Sequence, residues 1–253
     1  MAVSFSAQGR VGEIVLDNPP ANSYDIEFMR ELAAAIAAAG EDAARVVVVR
    51  SASEKFFSAG ADVKRFLAND VESNMEMIRL AHEALLSIAR SPKLFVAYIA
   101  GHALGGGLEI ARACDLRYAA AGRYRMGTPE VTLGLLPGNG GTQRLPRLIG
   151  TGPALELLLT GRQVSPEEAQ NLGLVSRLFD SYNEFSGHVD ALSALPPLAL
   201  QEIKRAVYEG MDRPLEGGLE LERELIEKLF RSRDASEGLN AFVEKRTPEF
   251  AGS

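Results

Sequence analysis

The sequence of 253 residues contains one cysteine, no tryptophan and three histidines. A single cysteine cannot form a disulfide within the chain, so we expect a reducing compartment, the cytoplasm, and interpret Cys114 as a core residue. The histidines show no zinc-ligand spacing with it, so no metal site is expected. No apolar run approaches the roughly 18 residues that span a bilayer, and the first ten residues lack signal- or transit-peptide features. We therefore expect no membrane partner.

An excess of basic residues is also absent. Lys and Arg number 27 against 34 Asp and Glu, which gives a net charge of −7. General nucleic-acid binders usually carry a basic excess, so we expect no nucleic-acid partner, although a local basic cluster could still hold a small anionic ligand. Apolar residues make up 46% of the chain, which is ordinary for a globular protein with a sizeable core.

The apolar pattern changes along the chain. The first part alternates between strands predicted at 11–16, 46–49, 94–99, 116–119 and 124–126 and helices predicted at 26–39, 74–90 and 104–113. This alternation indicates an α/β fold with a mostly parallel sheet. Beyond residue 142 the pattern predicts one short strand at 175–178 and otherwise helices, at 143–149, 153–160, from Ser165 onwards, 199–209, 215–230 and 236–246. We predict an α/β core over 1–195 and a helical C-terminal part over 196–253.

Two glycine-containing segments, 56–62 and 101–109, each lie between a strand-like run and the start of a helix. Glycine lets a ligand approach the main chain closely, and the first amides of a helix have no intrahelical acceptor. Two such turns can supply two backbone N–H groups to one developing oxyanion. The alternative interpretation is that the glycines serve tight packing only.

Two glutamates stand close to these turns in the sequence. Glu109 falls near the start of the helix opened by Gly106, where the helix dipole favours an ionised carboxylate. Glu130 precedes a further glycine-rich turn at 135–142. Two carboxylates that converge on one pocket can divide the roles of acid and base. Spacing alone does not establish convergence, and either glutamate could instead be an exposed ion-pair partner.

Three motifs in order resemble the signatures of the crotonase superfamily, which contains enoyl-CoA hydratases and isomerases, and the hydratases are the most similar members. They are Phe57-Ser58-Ala59-Gly60-Ala61-Asp62-Val63-Lys64, then Gly101 to Glu109 with Ala113 to Arg117, then Pro129-Glu130 with Leu133 to Gly138 and Gly140 to Leu145. The similarity extends from Val11 to Arg246. It implies an α/β fold, a spiral of ββα units with a helical C-terminal trimerisation region. It also implies a homotrimer, or a homohexamer built as a dimer of trimers.

The resemblance implies roles for individual residues. Ala61 and Gly106 would form the oxyanion hole for an acyl-CoA thioester, Glu109 would activate water for attack at Cβ, and Glu130 would protonate Cα to give a 3-hydroxyacyl-CoA. Lys245 would reach the CoA of a neighbouring subunit. The remaining residues implied to bind CoA are Ser58, Ala59, Asp62, Val63 and Lys64. Phe66 and Phe242 could line the acyl or pantetheine channel, although core packing explains them equally well. No metal or redox cofactor is implied, because coenzyme A enters as part of the substrate.

Two other functions remain open. An enoyl-CoA Δ3,Δ2-isomerase generally keeps only the acid that matches Glu130, so the presence of Glu109 as well favours a hydratase. A non-catalytic acyl-CoA-binding scaffold would dispense with both acids. The chain also carries one residue more than common hydratases between the two acids, near Ala121-Gly122. A turn would absorb it, whereas a one-residue shift of the strand at 124–126 would turn Glu130 away. Arg112 and Arg144 are interpreted as structural ion-pair partners.

Overall fold

The computed structural model describes all 253 residues, in eleven strands, eleven α-helices and one 3₁₀ helix, Pro129–Leu133. The strands are β1 (Val3–Gln8), β2 (Val11–Leu16), β3 (Ser23–Tyr24), β4 (Val46–Ser51), β5 (Phe56–Ser58), β6 (Gly60–Ala61), β7 (Leu94–Ile99), β8 (His102–Leu104), β9 (Leu116–Ala120), β10 (Met126–Gly127) and β11 (Arg177–Phe179). The α-helices are α1 (Ile26–Glu41), α2 (Val63–Ala68), α3 (Val71–Arg90), α4 (Gly106–Ala113), α5 (Gly141–Ile149), α6 (Thr151–Thr160), α7 (Pro166–Asn171), α8 (Tyr182–Ser193), α9 (Pro197–Met211), α10 (Leu215–Phe230) and α11 (Arg233–Glu244).

The main sheet has six strands in the order β1-β2-β4-β7-β9-β11. Only the β1–β2 pair is antiparallel, and every other neighbour is parallel. The four valines of β4 at 46–49 are at most 2% exposed. A continuous apolar strand of this kind requires cover on both faces of the sheet, as parallel sheets have. The predicted mostly parallel α/β sheet is confirmed.

A second, smaller parallel sheet gives the fold its spiral form. The chain leaves β4, β7 and β9 and soon enters β5, β8 and β10, which pair with one another in the order β10-β8-β5. Each turn of the chain therefore places one strand in each sheet before a helical segment follows. This repeat is the ββα unit that the resemblance implied, and it brings the ends of β6 and β8 close to the start of α4.

Some local expectations were wrong in their boundaries. The helix predicted from residue 104 begins at Gly106, because 102–104 form β8. The strand predicted at 124–126 is reduced to β10. The helix predicted from residue 74 begins at Val71, because the Asp70 carboxylate caps it by accepting from the Ser73 N–H at 2.7 Å. A helix start was expected after residue 62, where α2 begins, but its end was not predicted, and β1 and α8 were not predicted at all.

The C-terminal part is helical, as expected, and is joined to the core by a buried ion pair. Lys204 Nζ of α9 lies 2.9 Å from Asp115 Oδ2 and donates to the carbonyl oxygens of Ile88 and Lys93 at 2.7 and 2.8 Å. A boundary between residues 195 and 196 falls in the turn between α8 and α9. The division into two parts stays a prediction. Cys114 is fully buried, in line with its interpretation as a core residue, and burial raises the pKa of its thiol to about 12. No helix has the length and apolar character needed to cross a bilayer.

Candidate active site

The first turn of α4 presents backbone amides at the centre of the candidate site. The first N–H groups of α4 have no intrahelical acceptor, as at every helix start. Gly105 precedes the helix with φ at +53° and contributes no side chain that could cap them. A Cβ added at Gly60 would lie 3.3 Å from Gly106 N and 2.9 Å from the Leu104 oxygen. Gly60 also has φ at +91°. Glycine at this position therefore allows β6 to approach the start of α4.

The amide of Ala61 lies on that approaching strand. β6 pairs with β3 in parallel, with Ala61 opposite Tyr24. The Asp62 N–H donates to the backbone carbonyl oxygen of Tyr24 at 2.9 Å. Successive N–H groups of a strand point to opposite sides, so the Ala61 N–H points away from β3. The structure thus brings the segments of Ala61 and Gly106 together, whereas their role as an oxyanion hole stays a prediction.

Glu109 is buried in the first turn of α4, at 2% exposure. Its Oε1 accepts the N–H groups of Asn139 and Gly141 at 2.9 and 2.6 Å. A Cβ at Gly141 would lie 2.7 Å from this oxygen, so glycine is needed where the loop wraps the carboxylate. Burial raises the pKa of Glu109, while the Arg112 charge and the two amides oppose that rise by favouring the ionised form.

Glu130 lies on the 3₁₀ helix and faces the start of α4. Its Oε1 is 3.0 Å from the position of a Cβ at Gly105, and its Oε2 is buried without a hydrogen-bond partner. Burial, with the nearby charge of Glu109, raises the pKa of Glu130 to about 7. A bend lies at 121–123, where the resemblance implied one extra residue between the two acids, and β10 follows it at Met126–Gly127. Both carboxylates therefore face one region instead of bulk solvent.

The interpretation of Arg112 and Arg144 as ion-pair partners was wrong. Arg112 is 4% exposed, and Nε, Nη1 and Nη2 form no hydrogen bond and no salt bridge. A Cβ added at Gly141 would lie 2.7 Å from Arg112 Nη2 and also 2.7 Å from Glu109 Oε1, so both side chains border this glycine. Burial lowers the pKa of Arg112 to about 10. Arg144 Nη1 donates to the backbone carbonyl oxygen of Asn139 at 2.8 Å. Arg112 is thus a buried cation beside the acids, and Arg144 holds the glycine-rich loop.

Sequence reasoning missed two polar side chains at this site. Asn139 Nδ2 donates to the hydroxyl oxygen of Tyr24 at 2.7 Å, and both residues are buried. A Cβ added at Gly106 would overlap that hydroxyl oxygen. Asn139 stood inside a motif already identified, so the signal was present in the glycine-rich turn. Tyr24 belongs to a two-residue strand with no recognisable pattern.

The residues implied to bind CoA are divided between internal contacts and the surface. Ser58 is buried, where its hydroxyl donates to the Asn22 oxygen and accepts from the Gly60 N–H. The Ala59 N–H donates to the Ala21 oxygen. Asp62 caps α2 by accepting from the Lys64 and Arg65 N–H groups, which leaves Val63 and the Lys64 side chain exposed. The segment therefore presents a lysine and a helix start beside Ala61.

The two phenylalanines suggested for the acyl channel lie in different surroundings. Phe66 lines a pocket together with Tyr24 and Met77. Phe242, on α11, is 85% exposed, so within one chain it faces solvent. Lys245 ends α11 in the left-handed region and is also exposed. Of the two phenylalanines, the structure places only Phe66 next to the candidate site.

Comparison with known proteins identifies the family of the chain. The sequence model of the enoyl-CoA hydratase/isomerase family matches residues 6–253. The chain belongs to this family. It is 38% identical to a probable enoyl-CoA hydratase of Bacillus subtilis, over 99% of each chain, and 40% identical to one of Rhizobium meliloti, over 96% of this chain and 95% of the relative. A solved enoyl-CoA hydratase of Geobacillus kaustophilus superposes with a TM-score of 0.96 at 41% identity, over 100% of this chain and 97% of that one.

Proposed function

We propose that this protein is an enoyl-CoA hydratase, which adds water across the trans-2 double bond of an enoyl-CoA to give a 3-hydroxyacyl-CoA. The observation that carries the proposal is the position of Glu109 and Glu130, which both lie beside the open amide end of α4. One carboxylate can then take a proton from water while the other supplies a proton to the substrate. The reaction needs only the acyl-CoA and water.

The proposed reaction follows from the environments of the two acids. Glu109 accepts two backbone N–H groups, which favour its ionised form, and it removes a proton as the water oxygen bonds to Cβ. The π electrons move to the thioester oxygen, where the amides of Ala61 and Gly106 stabilise the enolate. Glu130, whose pKa is about 7, retains a proton near neutral pH and delivers it to Cα. The net change is the addition of one water molecule.

The test is hydration of crotonyl-CoA by the purified protein, followed as loss of the absorbance of the conjugated thioester and as a mass gain of one water in the product. Glu109→Gln and Glu130→Gln should each lower the rate by roughly 10²–10⁴-fold. Glu202→Gln is the matched control, since Glu202 is also a buried glutamate but lies on α9, where it pairs with Lys228 of α10. Activity that survives Glu109→Gln on a 3-enoyl-CoA would instead identify an isomerase. No activity at any chain length, with wild type and Glu130→Gln alike, would refute hydration.

CoA binding and assembly form part of the same proposal. Lys64 and Lys245 supply ammonium groups for the phosphates, Lys245 from a neighbouring subunit. The C-terminal helices expose large apolar side chains, including Phe230 at 68%, Phe242 at 85% and Val243 at 79%. Several large apolar side chains exposed on the same C-terminal helices are typical of an interface with another subunit, which supports an assembly such as a homotrimer or homohexamer. Light scattering on the purified protein measures the mass, and a monomer at micromolar concentration would contradict this assembly.

A further inference from the structure

The hydroxyl group of Tyr24 lies against Gly106, one of the two residues proposed for the oxyanion hole. Tyr24 is paired with Ala61 across β3 and β6, and its ring reaches the first residue of α4. The overlap between its hydroxyl oxygen and a Cβ at Gly106 shows that the oxygen rests against the Gly106 Cα. The ring also lines the pocket that contains Phe66 and Met77. The side chain therefore lies at one proposed donor residue, Gly106, and lines a space that a ligand can enter, while the backbone of Tyr24 pairs with the other proposed donor residue, Ala61.

The hydrogen bonding of Tyr24 leaves its own proton without an acceptor. Its oxygen accepts from Asn139 Nδ2 at 2.7 Å, and no protein atom accepts the phenolic O–H. The side chain is 3% exposed, and a buried donor without an acceptor is costly. A group that enters the site would supply the missing acceptor.

The surroundings of Tyr24 keep its phenol neutral. Burial contributes most to raising its pKa well above the ordinary value, and the nearby carboxylates of Glu109 and Glu130 raise it further. The Asn139 amide, which donates to the oxygen, acts in the opposite direction. Throughout the range in which proteins work, Tyr24 therefore retains its proton and acts as a hydrogen-bond donor.

We propose that Tyr24 is a further catalytic residue, whose hydroxyl donates a hydrogen bond to the thioester oxygen as a third member of the oxyanion hole with Ala61 and Gly106. This inference rests on the proposed function. A donor fixed in a buried site stabilises the charge that develops on the enolate oxygen more than it stabilises the neutral carbonyl. It should therefore act mainly on kcat. The Asn139 amide directs the phenolic proton toward the substrate, because it occupies one lone pair of the oxygen.

The test compares Tyr24→Phe with wild type in two measurements. The rate of crotonyl-CoA hydration should fall on the order of 10²-fold in kcat with little change in KM. The carbonyl ¹³C resonance of bound, labelled butyryl-CoA, a saturated thioester that cannot be hydrated, should move back toward its position in free solution. Tyr98→Phe is the matched control, because Tyr98 is a buried tyrosine in a separate apolar cluster. It should leave both measurements unchanged.

Three results would overturn the proposal. The first is a wild-type rate in Tyr24→Phe. The second is an unchanged carbonyl resonance in that variant while its pH profile shifts, which would mean that Tyr24 acts only on Glu109 through Asn139. The third is the absence of any resonance shift when wild type binds butyryl-CoA. If Tyr24→Phe does not fold, Tyr24→Leu, which also removes the hydroxyl, is expected to give the same resonance change. Failure of wild type to hydrate an enoyl-CoA of any chain length would refute the proposed function, while the butyryl-CoA measurement would still decide the role of Tyr24.

Discussion

The pKa of Glu130 makes the proposed reaction strongly dependent on pH. Burial and the charge of Glu109 raise this pKa from its ordinary 4.5 to about 7. Because only protonated Glu130 can deliver a proton to Cα, the rate should fall as the pH rises through 7. The protonated fraction is about one half at pH 7 and about 1% at pH 9, so we expect a decrease in kcat of roughly 50-fold.

The same pKa shift predicts an effect on stability with a definite sign. The folded state binds this proton more tightly than the unfolded state does, so the stabilisation is complete below about pH 4.5 and is lost as the pH rises through 7. At pH 8 the charged Glu130 should cost the fold at most about 3 kcal/mol, and less because part of the side chain is hydrated. Glu130→Gln removes this charge. The variant should be more stable than wild type at pH 8 and equal to it near pH 4.5.

The assay pairs initial rates with urea unfolding between about pH 5 and 9. Wild type should lose activity above pH 7, whereas Glu130→Gln should be nearly inactive throughout and should gain stability relative to wild type as the pH rises. Glu202→Gln controls for the loss of a buried carboxylate elsewhere. A wild-type rate that stays level up to pH 9, or a Glu130→Gln variant that is active, would refute the assignment of Glu130 as the acid.

Other substitutions test the packing and the charges. Gly106→Ala should inactivate the enzyme and lower its unfolding midpoint because no space exists for a Cβ, whereas Gly40→Ala, in open space on α1, should raise stability by about 0.5–1 kcal/mol in urea unfolding. Lys204→Met should lower stability by about 3–5 kcal/mol, since it leaves Asp115 buried without its partner, and a loss under 1 kcal/mol would contradict the buried ion pair. Arg112→Met should move the acidic limb of the pH–rate profile to higher pH, because the guanidinium lowers the pKa of Glu109, the proposed base, and an unchanged limb would exclude this effect.

The long elements of the fold were predictable from the sequence, and the short ones were not. The valine run of β4 and the apolar run of β7 are strands because continuous β-branched and aromatic residues fit a sheet that is buried on both faces. The pairs Tyr24–Ala61 and Ala103–Met126 join segments that are distant in sequence. Strands of two or three residues form only because such partners exist, so no local pattern reveals them.

The parts of the site that lie within local sequence motifs were predictable from the sequence. Glycine before a helix placed Glu109 correctly near the start of α4, but its convergence with Glu130 depends on how the 3₁₀ helix packs against that part of α4. Arg112 and Tyr24 are buried polar residues. A sequence pattern assigns an arginine to the surface and a tyrosine to the core by residue type alone, and so reveals no role for either. Their importance arises from what they contact in three dimensions, namely the two acids and the first residue of α4.

The central claim is that the amides of Ala61 and Gly106 hold one thioester oxygen while Glu109 and Glu130 face the carbons of the double bond. A crystal structure with a bound, unreactive acyl-CoA such as butyryl-CoA tests it most directly. Both amide nitrogens are expected to lie about 2.7–3.1 Å from the thioester oxygen, with a carboxylate near each of Cα and Cβ. A thioester oxygen bound by neither amide, or an acyl chain that passes outside the two acids, would contradict it.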